Sequence, residues 1–125
     1  MPAETERVAR EVVDSAFKVH KALGPGLLES VYAACLCHEL SQRGLSFKTE
    51  VPVPVIYNNV RLDAGLRLDL LVSDCVVVEL KSVEKMNTLF EAQLLTYLKL
   101  TGLRLGLLIN FNVPLIKDGI KRIIR

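Results

Sequence analysis

The sequence predicts an α/β protein built on one mixed sheet. Apolar residues recur every three or four positions near the start, which is typical of helices. Shorter apolar or alternating runs fill the middle, and one further helical segment separates two of these runs, as in a βαβ unit. With 125 residues, 50% of them hydrophobic, the chain is expected to form a single domain over residues 1–125 with a substantial core.

Two helices are predicted to open the chain. From Glu6 to Leu23 the apolar positions follow helical spacing, and Gly24 with Pro25 ends the helix because proline cannot continue it. A second helix is predicted from Leu27 to Arg43, ended at Gly44.

An antiparallel meander is expected next. The predicted strands are Phe47 to Tyr57, Arg61 to Val72 with an interruption near Ala64-Gly65, and Cys75 to Lys81. Asn58-Asn59 predicts a tight turn between the first two, because asparagine tolerates positive φ. Pro52 and Pro54 cannot donate hydrogen bonds to a ladder, so the first strand is expected at an edge or a bulge.

The last third predicts a helix between two strands. Thr88 and Glu91 resemble a capping box that starts a helix running to about Thr101. The apolar run Leu103 to Phe111 is then a buried strand, parallel to the Cys75 to Lys81 strand because the crossover passes through a helix. A short strand is predicted within Lys117 to Arg125.

Three charges interrupt the apolar strands. Glu79 and Lys81 share one face because they are two residues apart, and Asp69 joins them only if Ser73-Asp74-Cys75 forms an odd loop that places Val72 opposite Val76. Asp69 then lies opposite Glu79, and adjacent carboxylates repel unless a cation lies between them. Oxygen ligands of this kind favour Mg²⁺ or Mn²⁺. The alternative is a structural ion pair between Glu79 and Lys81.

These residues resemble a known signature. Asp69 followed by Glu79-Leu80-Lys81 is similar to the D…(D/E)-x-K motif of the PD-(D/E)XK, or restriction-endonuclease-like, nuclease superfamily. The stretch from Gly26 to Tyr32 resembles the G-x-x-E-x-x-Y pattern of a small family usually placed there, and Gln93 to Tyr97 resembles the Q-x-x-x-Y motif of RecB-type nucleases. The resemblance implies an α-β-β-β-α-β core preceded by an extra helix.

The resemblance also implies an activity, the hydrolysis of phosphodiester bonds in nucleic acid, expected to be DNA, with Mg²⁺ or Mn²⁺ as cofactor. The metal would be held by Asp69, Glu79, the Leu80 carbonyl and Glu29. Lys81 would orient water or offset charge on phosphorus. Gln93 and Tyr97 would position the phosphate or the lysine, and Tyr32 would contact nucleic acid. The alternative is a catalytically silent module that binds DNA or a protein partner.

Several of these residues also have a plainer interpretation. Glu29 lies in the first turn of a helix, where the dipole favours a carboxylate, and Gln93 with Tyr97 would serve equally as structural hydrogen-bonding groups. The chain departs from the family pattern at Phe90, where relatives often carry histidine, and at Ala33, where they carry an acidic residue.

Any nucleic-acid binding is expected to depend on a local basic patch, because 16 basic and 14 acidic residues give the whole chain a net charge of only +2. The densest basic run lies near the C-terminus and is expected to contact phosphate or to form a solvated edge strand (Lys117, Lys121, Arg122, Arg125). No apolar run approaches the ~20 residues of a membrane span, and no signal peptide is apparent. We therefore expect a cytoplasmic protein without a membrane partner; a homodimer or a protein partner is open.

Overall fold

A five-stranded mixed sheet forms the centre of the computed structural model, which describes residues 1–125. The strands lie side by side in chain order: β1 (Phe47–Tyr57), β2 (Val60–Val72), β3 (Val76–Lys81), β4 (Leu105–Asn110) and β5 (Ile120–Ile124). The β3 and β4 strands are parallel, and every other neighbouring pair is antiparallel.

Helices cover both faces of the sheet. The α1 helix (Ala3–Leu23) and the α2 helix (Glu29–Gln42) pack on one face with Val76, Val78 and Leu80 of β3, and the α3 helix (Thr88–Thr101) packs on the other with Val77. A short 3-10 helix (Ile116–Gly119) precedes β5. None of these helices combines the length and the apolar character that crossing a bilayer requires.

The predicted fold class and element order are confirmed. The helix between β3 and β4 makes these strands parallel, as expected, and the two prolines of β1 lie in an edge strand. The ends of the elements differ from the predicted ones by up to about three residues, for example at α1, which begins at Ala3.

The β1–β2 hairpin has the predicted turn. Asn58 and Asn59 both adopt positive φ, 50° and 62°, which allows the two strands to reverse in two residues. The expected interruption near Ala64-Gly65 is a bulge within a continuous strand, because Val53 pairs with Leu66 while Val55 pairs with Leu62.

The start of α3 differs from the prediction. The N-cap residue is Asn87, whose side-chain oxygen accepts a hydrogen bond from the Leu89 N–H at 2.8 Å. Thr88 is already the first helical residue, so the predicted capping box of Thr88 and Glu91 is wrong. Asparagine and threonine are both good caps, and the sequence offered them side by side.

Two glycines sit where β4 is closely packed, and they allow a matched test. A Cβ at Gly119 would lie far inside van der Waals distance of the Asn110 carbonyl oxygen, which is backbone of β4 and cannot move easily. A Cβ at Gly106 would instead meet only side-chain atoms, those of the buried Leu94 at 2.8 to 3.0 Å, which is a longer approach than the one to the Asn110 carbonyl oxygen. We expect Gly119→Ala to lower the free energy of unfolding by about 3 kcal/mol and Gly106→Ala by about 1 kcal/mol, the two ends of the overpacking range. Urea denaturation of both variants measures this, and equal losses would contradict it.

Candidate active site

The β2–β3 ladder ends at the two predicted carboxylates. Leu70 and Val78 are the last paired residues of the ladder, and the next two residues, Asp69 and Glu79, are joined by hydrogen bonds that involve their side chains. Glu79 Oε1 accepts a hydrogen bond from the Asp69 N–H at 3.2 Å, and Asp69 Oδ2 accepts one from the Leu80 N–H at 2.9 Å. The odd loop places Val72 opposite Val76 as predicted, so Asp69 lies opposite Glu79 and the two carboxyl groups are held together.

This pair is poorly solvated. Glu79 is only 6% exposed, and burial is the main cause that raises its pKa to about 9; the negative charge of Asp69 and a hydrogen bond to its side chain raise it further. The ionised form is unfavourable because no protein cation forms an ion pair with either carboxylate. Burial together with the nearby charge of Asp69 therefore favours a proton shared by the pair in the metal-free protein.

Lys81 lies on the same strand face, and its charge opposes the rise in the pKa of Glu79, but the two side chains form no ion pair. Its Nζ sits 4.3 Å from the centroid of the Phe90 ring, in a cation–π contact, and it forms no ion pair. The structural interpretation of Glu79 and Lys81 as an ion pair is therefore not what the structure shows. Phe90, noted as a departure from the family pattern, is the residue that holds the lysine ammonium.

Glu29 lines a cavity of about 380 Å³ together with Asp69 and Leu80. It is the first residue of α2, and its pKa is raised by burial and then by the negative charge of Asp69. A carboxylate in the first turn is favoured by the helix dipole, but here it also feels the neighbouring carboxylate. The structure thus brings Glu29 to the predicted site.

Tyr32 has a structural role, and its predicted contact with nucleic acid is corrected. Its side chain is fully buried and stacks on Phe111, with ring centroids 4.5 Å apart. Its hydroxyl donates to the Gly24 carbonyl at 2.5 Å and accepts from the Leu27 N–H at 3.2 Å. Tyr32 therefore fixes the loop that leads into α2 and has no surface left for a ligand.

The two α3 residues are placed differently. Tyr97 is buried, and its pKa is raised by burial and then by the negative charges of Glu79 and Asp69, so its hydroxyl lies in the field of the pair. Gln93, one turn earlier, is exposed, and its side chain makes no hydrogen bond within the protein. The purely structural interpretation, in which both side chains find internal partners, does not describe Gln93.

Two residues near the site were missed from the sequence. Glu50 lines the same cavity as Glu29, adopts a positive φ of 51°, and its charge contributes to the raised pKa of Glu29. Nothing in a β-strand pattern marks such a residue. Asn110 is 1% exposed and clamps Val83 through hydrogen bonds of 3.1 and 3.0 Å, which steadies the segment after Lys81. The sequence signal for Asn110 was a polar residue at the end of an apolar strand.

The predicted basic C-terminal surface is not one patch. Lys121 forms an ion pair with Glu91 of α3 at 2.9 Å, whereas Arg122 forms one with Glu6 of α1, on the opposite face of the sheet. Lys117 lies in the 3-10 helix and has no ion-pair partner. Successive residues of β5 point to opposite faces, so Lys121 and Arg122 are directed away from each other, and the contact of the C-terminal cations with phosphate stays a prediction.

The donor set suits a hard divalent cation. Two carboxylates lie together, Glu79 buried and Asp69 half-buried, and a metal ion would take the place of the proton that relieves their repulsion. No group of three or more His, Cys, Asp or Glu side chains is close enough to form a complete protein cage. Two carboxylates are enough for a divalent ion that completes its coordination shell with water and substrate.

Comparison with known families gives one match. The family model described as the PD-(D/E)XK nuclease superfamily matches residues 6–123, nearly the whole chain. No curated protein and no solved structure matches. The matched span includes every residue of the candidate active site.

The raised pKa of Glu79 predicts a pH dependence of stability. The folded protein holds a proton that the unfolded chain, with an ordinary glutamate, releases above about pH 4.5. In the presence of chelator, the free energy of unfolding should therefore fall as pH rises from about 5 to about 9, by at most about 1.4 kcal/mol per pH unit. Glu79→Gln should flatten this slope. Urea denaturation across the pH range measures it, with the exposed Glu84→Gln as control; identical slopes in wild type and Glu79→Gln would contradict it.

Proposed function

Because the chain belongs to the PD-(D/E)XK nuclease superfamily, we propose that it is a metal-dependent nuclease that hydrolyses the phosphodiester bonds of DNA. The observation that carries this proposal is the Asp69–Glu79 pair, in which Glu79 is buried, Asp69 is half-buried and neither carboxylate forms an ion pair, with Lys81 two residues further along β3. Such a pair is costly for folding, so a role in binding a cation is the best explanation for it.

Asp69 and Glu79 would hold the ion, Mg²⁺ or Mn²⁺, with the Leu80 carbonyl, and Glu29 would contact it through water from across the cavity. When bound, the ion would lower the pKa of a water molecule and stabilise charge that develops on the phosphate oxygens. The chain itself supplies a site that keeps these oxygen donors together and largely away from bulk water.

Lys81 would act on the substrate side. Its ammonium is held over the Phe90 ring instead of being neutralised by Glu79, so it keeps its full positive charge for an anionic ligand. It would offset negative charge on the phosphate or orient the attacking water, and neither task requires it to lose a proton.

The residues around the pair support this arrangement. Tyr97, in the field of both carboxylates, and Gln93, free at the surface one turn away, would position the phosphate or the lysine. Within the superfamily we propose membership of the G-x-x-E-x-x-Y family. Gly26, at φ 99°, and Tyr32 would hold the loop before α2, which supports placement of Glu29 beside the cavity.

Removing either carboxylate should abolish cleavage while the fold persists. Asp69→Asn and Glu79→Gln are expected to lower Mg²⁺-dependent cleavage of DNA at least about a hundredfold, and to remove the rise in melting temperature that Mg²⁺ causes in the wild type. Both amides relieve the repulsion within the pair, so stability without metal should be unchanged or higher.

Asp63→Asn is the matched control, because Asp63 lies on the same strand and is exposed beside Arg61. Cleavage at the wild-type rate by either site variant would overturn the site assignment. A chain that shows no metal-dependent cleavage of linear, circular, single-stranded or branched DNA would overturn the proposed function.

Lys81→Met should separate catalysis from stability. Because Lys81 contacts Phe90 and not Glu79, its loss is expected to cost no more than about 2 kcal/mol of stability, the upper range of a cation–π contact. An ion pair to a buried carboxylate would instead cost about 3–5 kcal/mol when broken. Cleavage should fall at least about a hundredfold while the Mg²⁺-induced rise in melting temperature remains. Wild-type cleavage by this variant would contradict the role of Lys81.

A further inference from the structure

A groove of about 610 Å³ lies outside the candidate active site, at the C-terminal end of α1. We call it the α1 groove; its lining includes side chains of α1, of the loop that follows it and of the 3-10 helix region (Phe17, Lys18, Lys21, Pro25, Leu115, Lys117). No aspartate or glutamate lines it, so the charge of its wall is entirely positive.

The charges of the groove are available to a ligand. Lys21 and Lys117 are exposed and form no ion pair, while Lys18 is paired with Glu39 at 3.1 Å. This distinguishes them from Lys121 and Arg122, which are already neutralised by carboxylates of α3 and α1. The α1 groove is therefore a place where an anion would meet lysines without displacing an internal partner.

The groove also presents apolar surface. Phe17 is 43% exposed and Leu115 is 56% exposed, and both line the groove together with the lysines. Large exposed apolar side chains beside unpaired cations match a ligand that carries both negative charge and flat apolar rings. A single strand of nucleic acid has this combination, since phosphates meet lysines and unstacked bases meet aromatic rings. Duplex DNA hides its base faces and would not use Phe17.

The wall of the groove is held in place by the fold. His20 is buried in α1, and its Nε2 lies 2.8 Å from the Val113 carbonyl oxygen, immediately before the Pro114-Leu115 segment. This bond joins the segment to α1, so the groove exists before any ligand binds. A preformed site loses less free energy to ordering on binding than a flexible one.

The groove adjoins the catalytic strand. The loop Gly24–Leu28 starts at the groove, where Gly24 lies in the lining, and its Leu27 carbonyl accepts a hydrogen bond from Ser82 Oγ at 2.6 Å. Ser82 directly follows Lys81. Gly24 and Leu27 are three residues apart, so their Cα atoms are separated by at most about 11 Å. A strand lying in the groove would need only a few nucleotides to reach the candidate active site.

We propose that the α1 groove binds a single-stranded segment of the nucleic acid that the active site cleaves, an inference that rests on the proposed nuclease function. Lys21 and Lys117 contact phosphates, and Phe17 stacks on a base. The groove thereby sets a preference for substrates that have a single-stranded region beside the cleaved bond.

The test measures binding separately from cleavage. Fluorescence anisotropy with chelator present gives the affinity of the full chain for a labelled single-stranded DNA of about 15 nucleotides, for RNA of the same sequence and for the DNA duplex. Lys21→Ala/Lys117→Ala should weaken single-strand binding at least about tenfold and reduce the salt slope by about 0.7 for each lost phosphate contact. Phe17→Ala should weaken it about fivefold or more and leave the salt slope unchanged.

Lys99→Ala is the matched control, because Lys99 is an exposed, unpaired lysine on α3, on the opposite face of the sheet. The affinity of this variant for the single strand should stay within twofold of wild type. The DNA and RNA arms identify which strand the groove takes. Wild-type affinity and salt slope in the double variant, tighter binding of the duplex than of the single strand, or no binding of either strand by the wild type would each overturn the proposal.

Parallel cleavage assays with Mg²⁺ keep the two proposals distinct. If the wild type cleaves and the groove variants cleave equally well, the nuclease function is supported and the proposed role of the α1 groove is overturned. Groove-dependent binding without cleavage of any substrate supports the groove and overturns the nuclease function.

Discussion

Two reciprocal hydrogen bonds between a side chain and a backbone N–H end the β2–β3 ladder, and the site depends on them. The carboxylate of Glu79 accepts from the Asp69 N–H, and the carboxylate of Asp69 accepts from the Leu80 N–H. Their bonds keep the two carboxyl groups together in the middle of a five-stranded sheet, where β3 is covered on both faces. Two adjacent carboxyl groups, one of them buried, do not both ionise readily without a cation, so the bonds that hold them together also favour a bound proton or metal ion.

The surrounding elements are arranged around this pair from different directions. From the α3 side, the Phe90 ring contacts the ammonium of Lys81, and Tyr97 lies in the electrostatic field of the carboxylates. From the α2 side, Glu29 is presented at a helix start whose preceding loop is tied down by the buried Tyr32. That loop also borders the cationic groove of α1, so one short segment connects the carboxylate pair to the surface best suited to hold a strand.

Local patterns were sufficient for most of the fold. Helical and strand spacing repeat within a few residues, so they are encoded wherever the segment lies in the final structure. The register of β2 and β3 was also predictable, because a slip of one residue would move Asp69 to the other face from Glu79. The start of α3 was not, since Asn87 and Thr88 are both capable caps and the choice depends on where the preceding segment enters the helix.

By itself the sequence determined the element order, the strand register and the meeting of Asp69 with Glu79, because these follow from alternation and short loops. Only the tertiary structure decided which groups are exposed or paired. Tyr32 is buried by the packing of α2 on the sheet, and Arg122 is neutralised by Glu6, which lies 116 residues earlier in the chain. Such contacts depend on how distant elements are brought together, and no periodicity in a single segment carries that information.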